Sequence, residues 1–320
     1  MGKALAEQYP SARAVFDEAD TAFAAVVSDS SSAAVAPDGR VEAGLQTRLS
    51  TLCFEGPAEN LQLTEITQPA ILTTSVAAYR VLAGEGVAPA YVAGHSLGEY
   101  SAHVAAGTFA FGDAVGLVRR RGRYMQEAVP VGMGAMAAIV GAELAVVSQA
   151  CEEAAQGEIV SPANINCPGQ IVIAGHAAAV ARASARAKAL GARRTIALPV
   201  SAPFHCALMK PAELRLEPEL RGLTANHPSV PVVANVDAAP KRDSQSSVDA
   251  LVRQVSAPVR WEDVVRRLAS EGVTTYVEVG PGSVLSGLVK KIQPDARVMT
   301  FGSPENLGAI VAACSISAEK

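Results

Sequence analysis

The run Gly94-His95-Ser96-Leu97-Gly98 fits Gly-x-Ser-x-Gly, which lifts a serine hydroxyl onto a sharp strand-to-helix turn. Both glycines are expected there because a side chain on either flank would meet the returning backbone. A serine so placed becomes a nucleophile once a base takes its proton. Leu97 opens the following helix, so its backbone N–H should face the oxyanion that attack on a carbonyl creates. The chain offers five histidines as base. His95 adjoins Ser96 and should face the other way. His103 falls off the apolar stripe of its helix and reads as solvated or flanking, and His176 and His227 read as ordinary surface positions. His205, in Ser201-Ala202-Pro203-Phe204-His205, stands where the chain passes between two folding units, a cleft position. Cys206 is a poor rival nucleophile because it cannot face its own neighbour His205.

A charge on an apolar face adds a third chemical group. In the helix expected over 112–128, Ala114, Leu117, Val118, Arg121 and Met125 form the core-facing stripe, so Arg121 stands where an apolar residue belongs. A guanidinium cannot shed its proton to escape burial. Arg121 should therefore meet an anion, either an internal carboxylate or a ligand carboxylate gripped by two parallel hydrogen bonds. Arg119, Arg120 and Arg123 fall off the stripe and read as solvated. Gly280-Pro281-Gly282 is not read as a dinucleotide site, since Leu285 stands where the third glycine of Gly-x-Gly-x-x-Gly is required.

The elements that must position these groups alternate. Helical patterns at 10–25, 69–84, 248–255 and 262–271 and strands at 91–93, 230–235 and 275–279 argue for a mostly parallel sheet flanked by helices. Between them lies the order strand 135–140, helix 143–156, strand 159–164, strand 170–174, helix 177–190, strand 194–199, the split β-α-β unit of a ferredoxin-like domain. The expected organisation is a larger α/β domain of residues 1–131 and 201–320, interrupted by a small α+β domain of residues 132–200.

Composition excludes several classes. With 320 residues, 49% hydrophobic and 18% charged, the chain is globular, neither disordered nor fibrous. A net charge of -4 without a dominant basic stripe argues against nucleic acid. The longest weakly polar stretch, 128–142, falls short of the ~20 apolar residues that span a bilayer. Lys3 and Glu7 replace the apolar run of a secretion signal, and Ala6 breaks the myristoylation pattern that Gly2 begins, so the cytoplasm is the expected compartment. Five scattered cysteines suggest buried free thiols, not a disulfide framework or a zinc site; no metal or cofactor is expected. The small polar stretch from Ser28 to Arg40 reads as an exposed loop.

Read in order, "TQPAILT" from Thr67, "GHSLGEYSA" from Gly94, "MQEAVP" from Met125, "GAMAAI" from Gly134, "PGQIVIAG" from Pro168, "SAPFHCALMKPA" from Ser201, "PVVANVD" from Pro231 and "EVGPGSVLSGL" from Glu278 resemble the malonyl-coenzyme A:acyl carrier protein transacylases of bacterial type II fatty acid synthesis. The resemblance covers nearly the whole chain. It implies a hydrolase-like α/β core with the ferredoxin-like insert, and a ping-pong transfer of malonyl from malonyl-coenzyme A to the phosphopantetheine thiol of an acyl carrier protein. It implies Ser96 as the acylated nucleophile, His205 as its base and Arg121 as the binder of the malonyl carboxylate. The histidine is oriented in that family by a backbone carbonyl, which maps to Gln254 in "LVRQVSAPVRW". Phe204 resembles the bulky residue that disfavours branched acyl groups in malonyl-selecting domains. Carrier proteins are acidic, and Arg182, Arg186, Lys188, Arg193 and Arg194, or Lys290 and Lys291, are candidate docking charges, though each reads equally well as ordinary solvated charge.

One departure stands out. The family opens with a buried strand and a Gly-Gln-Gly-Ser-Gln loop that supplies a second oxyanion donor, whereas this sequence begins at Met1-Gly2-Lys3, beyond that loop. The expectation is that Met1 is internal to a longer natural protein or that the true start lies upstream; otherwise weak activity or an unstable fold follows. Two other readings remain: a serine esterase or thioesterase using Ser96 and His205, and an inactive acyltransferase-like protein.

Overall fold

The computed structural model of the protein describes residues 1–28 and 48–315, so nearly all of the expected Ser28 to Arg40 loop lies outside the described residues. Helices α1 (Lys3–Gln8), α2 (Pro10–Ser28), α3 (Leu49–Glu55), α4 (Ala58–Leu61) and α5 (Thr64–Gly84) come first. They are followed by β1 (Val92–Ala93), α6 (Leu97–Ala105) and α7 (Phe111–Glu127). The middle of the chain forms β2 (Gly134–Val140), α8 (Leu144–Ala155), β3 (Val160–Cys167), β4 (Gln170–His176), α9 (Ala177–Ala189) and β5 (Arg194–Ala197). Then come α10 (Lys210–Gly222), β6 (Val232–Val233), β7 (Pro240–Lys241), α11 (Ser244–Gln254), α12 (Trp261–Ser270), β8 (Thr275–Val279), α13 (Val284–Ile292), β9 (Arg297–Phe301) and α14 (Leu307–Ser315).

The result is a mixed α/β fold. β1 pairs in parallel with β6, which pairs antiparallel with β7, and β8 pairs in parallel with β9 in a separate sheet. Strands β2 to β5 make an antiparallel sheet of order β3-β4-β2-β5. β4, at its centre, is buried on both faces and reads accordingly as an apolar run, Ile171-Val172-Ile173-Ala174. On one face, Ile139, Ile171 and Ile173 pack with Val147, Ala150, Val180 and Ala183 of α8 and α9, a core drawn entirely from residues between Ala137 and Ala192. On the other, Met136, Ala163, Val172 and Ala174 meet Cys206. Residue parity along each strand assigns side chains to these two cores.

The main core gathers α2, α5, α7 and α10 around Phe16, Leu72, Leu117 and Leu216. α5 and α7 cross so closely that a Cβ on Gly122 would lie 2.5 Å from the Thr64 carbonyl oxygen. α7 packs against α2, α5, α6 and α10, and this corrects one expectation: Arg119 is not solvated but buried, its Nη1 donating to the Phe23 carbonyl and its guanidinium stacked on the Phe23 ring. His103 is likewise buried, not solvated, because α6 is covered on more than its apolar stripe: Ala102, His103 and Ala106 are all inside. Four cysteines are buried thiols and Cys314 is half-buried. No helix among the described residues is long and apolar enough to cross a membrane.

Candidate active site

β1 ends at the turn that carries Ser96, and α6 begins at Leu97. The turn closes so tightly that a Cβ on Gly94 would lie 2.0 Å from the carbonyl carbon of Gly98, so only glycine fits at 94. The steric requirement is one-sided: a Cβ on Gly98 would meet open space, contrary to the expectation that both flanks are closed. Ser96 has φ 50° and ψ −106°, a backbone conformation that side-chain-bearing residues rarely adopt and that surrounding bonds must hold. Asn235, after β6, supplies two of them: its Oδ1 accepts from the Ser96 N–H at 2.7 Å and its Nδ2 donates to the Gly94 carbonyl at 2.7 Å.

His205 is buried beside this turn, itself at φ 59°. Ser96 Oγ lies 2.7 Å from His205 Nε2, and His205 Nδ1 lies 3.0 Å from the Gln254 carbonyl. A carbonyl only accepts, so Nδ1 carries the ring proton and Nε2 presents its lone pair to the serine. Burial and the nearby Arg121 charge hold His205 down to about 3, so the ring is a free base throughout the neutral range. The Leu97 N–H makes no helix or turn bond, while the Ser96 N–H beside it is already taken by Asn235. The Leu97 N–H is thus left without a backbone partner at the start of α6.

Arg121 reaches the same place from α7. Only 1% of it is exposed, and its guanidinium lies over the Tyr100 ring. Nη1 donates to Gln68 Oε1 at 2.7 Å; Nη2 donates to Gln254 Oε1 at 2.9 Å and to Ser96 Oγ at 3.1 Å. All three acceptors are neutral. No carboxylate among the described residues lies within ion-pair distance of Arg121, and its Nε has no partner. A buried cation with no carboxylate in contact can take a ligand's anion.

Sequence reasoning missed Gln68, Asn235 and Glu99. Gln68 does fall on the Leu72 and Val76 stripe of α5, the same signal that exposed Arg121. The His95 ring is engaged elsewhere than at the serine hydroxyl: its Nε2 lies 2.9 Å from Asn166 Oδ1 on β3, and its ring lies tilted at 5.8 Å from that of Trp261. Phe204 is half-buried against both the main core and the core beneath the four-stranded sheet. Among the proposed docking charges, Arg182 and Arg186 are engaged by Glu158 and Glu153, and Lys290 and Lys291 by the Ala296 carbonyl and Gln170. Lys188, Arg193 and Arg194 are exposed. Among the described residues no cluster of His, Cys, Asp or Glu is placed to hold a metal ion.

Ser96 Oγ held 2.7 Å from the ring of a buried histidine is an arrangement that can carry acyl transfer, and the chain belongs to the acyl transferase family, whose domain matches residues 1–301. It is 54% identical over 268 residues to the malonyl CoA-acyl carrier protein transacylase of Escherichia coli (strain K12), covering 83% of this chain and 87% of that protein. The crystal structure of an acyl carrier protein S-malonyltransferase from Vibrio cholerae O1 biovar eltor matches with a TM-score of 0.88 and 44% identity, over 97% of this chain and 94% of that one. A malonyl-transacylase solved in complex with a type II polyketide synthase acyl-carrier protein matches with a TM-score of 0.88 and 42% identity, over 98% of this chain and 94% of that one.

Proposed function

We propose that the chain is a cytoplasmic S-malonyltransferase, moving malonyl from malonyl-coenzyme A to the phosphopantetheine thiol of an acyl carrier protein through a malonyl-Ser96 ester. The observation that carries this reading is Arg121, a buried guanidinium with only neutral partners, one of them the nucleophile's own oxygen at 3.1 Å. Hydrolysis of a neutral ester has no use for such a cation; a substrate with a free carboxylate does. The names of the similar proteins support the same substrate and carrier.

His205 Nε2 takes the Ser96 proton as Oγ bonds to the thioester carbon, and the Leu97 N–H stabilises the resulting oxyanion. The carbon–sulfur bond then breaks, and the proton passes from Nε2 to the departing coenzyme A sulfur. The carrier thiol reverses the sequence: its proton goes to Nε2, its sulfur bonds to the ester carbon, and Ser96 regains the proton. The Gln254 carbonyl holds the imidazole in one tautomer, so no third acidic residue is needed. The malonyl carboxylate on Arg121 offsets the charge that depresses His205, so the base strengthens as substrate binds. Phe204, immediately before His205, narrows the room for branched acyl groups.

The same proposal extends to architecture. Residues 1–131 and 201–320 form a hydrolase-like domain, and residues 132–200 a ferredoxin-like insert; the self-contained core between Ala137 and Ala192 and the strand order β3-β4-β2-β5 support that division. Mass spectrometry after incubation with malonyl-coenzyme A tests the function. A malonyl adduct on Ser96, discharged by a carrier protein's thiol, is expected; an unmodified Ser96 would overturn the reading.

A further inference from the structure

Beneath the serine, Glu99 is buried on α6 with 0% of its surface exposed. Its Oε2 accepts from the Asn235 N–H at 2.9 Å and from Gln254 Nε2 at 2.8 Å, while its Oε1 has no partner. Between them those two residues touch Ser96, His205 and Arg121. Asn235 holds both ends of the nucleophile turn. Gln254 orients His205 through its carbonyl, donates from Nε2 to the Ser96 carbonyl at 2.9 Å, and accepts from Arg121 through Oε1.

We infer that Glu99 is a positioning residue with two effects: it fixes which way the Gln254 amide faces, and its charge limits how strongly Arg121 draws a carboxylate. The inference rests on the malonyl reading of the same site and goes beyond it to what sets selection between charged and neutral acyl groups. The first effect follows from donor and acceptor chemistry. An ionised carboxylate only accepts, as does the Ser96 carbonyl, so Gln254 must turn Nε2 toward them both and Oε1 toward Arg121. With the amide reversed, an oxygen would face two acceptors and an NH2 would face a guanidinium.

The second effect is a matter of charge. Glu99 and Arg121 are both enclosed, yet not within ion-pair distance, so the carboxylate acts across a short low-dielectric gap and not by contact. A substrate carboxylate entering against Arg121 is the second anion beside one cation. The other groups that act on Glu99 are Tyr100, on its own helix, and Asp237, after β6. Burial raises Glu99 to about 7, against the lowering pull of the Asn235 N–H, Gln254 and Arg121. Below that pH Glu99 carries a proton and tolerates the incoming anion; above it, the two carboxylates repel.

Glu99→Gln keeps an accepting oxygen for Asn235 and Gln254 but removes the charge. The affinity for malonate ion, measured by calorimetry on the full chain, should rise about threefold or more at pH 8.5, with a smaller gain at pH 6. The ratio of malonyl to acetyl loading at low substrate concentration should rise in parallel at pH 8.5. Glu99→Ala, which strands the Asn235 N–H and Gln254 Nε2, should instead lower kcat about tenfold for both acyl groups. A malonate affinity in Glu99→Gln equal to wild type at both pH values would overturn the inference, even if Glu99→Ala failed to fold. Because malonate binding needs no acyl transfer, wild-type protein that binds malonate without acylating Ser96 would sink the malonyltransferase reading and leave this inference to its own result.

Discussion

Arg120 and Arg121 follow one another on α7, and the fold puts their charges to opposite uses. Arg120 donates through Nε to Glu219, which also accepts from the Tyr124 hydroxyl; both members of the ion pair are about one-quarter exposed. Its charge is neutralised at a partly wet surface, where such a pair contributes modestly. Arg121, one step of 100° around the helix, is enclosed among Gln68, Gln254, Ser96 and Tyr100, and no carboxylate meets it. A cation already paired has little left for a ligand; one held by neutral oxygens keeps its field. The lesson is that the partner list, more than burial or charge alone, separates a structural arginine from a binding one. Arg119 is also buried, with its Nη1 on the Phe23 carbonyl and its guanidinium over the Phe23 ring.

The sharpest way to break the contrast is at the atom Arg121 shares with His205. Ser96→Ala should abolish covalent malonyl loading, and His205→Ala should slow it roughly 100- to 10,000-fold, read by stopped-time mass spectrometry. Arg121→Ala should come next, lowering malonyl kcat/KM by roughly 100-fold or more while sparing or raising acetyl loading. Equal loss on both substrates would make Arg121 a scaffold and erase its difference from Arg120. Arg120→Ala should change malonyl kcat/KM by less than about twofold and cost about 1 kcal/mol or less in urea unfolding.

The smallest effect concerns His103, a buried group with nothing to bind. Its Nδ1 lies 3.2 Å from Thr108 Oγ1, its Nε2 has no partner, and burial lowers it to about 3. The unfolded chain regains an ordinary imidazole, so as pH falls below about 6.5 it takes up protons that the fold refuses, and stability drops. His103→Leu should narrow the difference in urea midpoint between pH 7.5 and pH 4.5, with loading activity retained. His205 adds to the same acid sensitivity, so the slope should shrink without vanishing.

What the sequence made legible and what it hid divide along the same physical line. Ser96 announced itself through a glycine the backbone cannot do without, and Arg121 through a charge on an apolar stripe. Each breaks a local rule, and such breaks mark function. Glu99 and His103 hid because a polar residue off the main stripe looks the same whether it faces water or a second layer of protein. α6 and α7 are covered on more than one side, a fact of packing that no single-helix periodicity contains. Asn235 hid for a different reason: it follows a strand of only two residues, and its role depends on a partner 139 positions earlier in the chain. The order of strands and helices from β2 to β5 was readable because the apolar run of β4 and the apolar faces of α8 and α9 are local patterns.

The missing side chain at Gly94 also bears on how a site like this could be changed. Because the obstacle is the backbone of Gly98 and not a movable side chain, no second substitution nearby can make room for anything larger. The turn is therefore a fixed point about which the rest can vary. A search for altered acyl preference is better spent on Gln68 and Phe204, whose side chains lie around the fixed point without forming it, and a library randomised across the turn would return mostly failures at its first glycine.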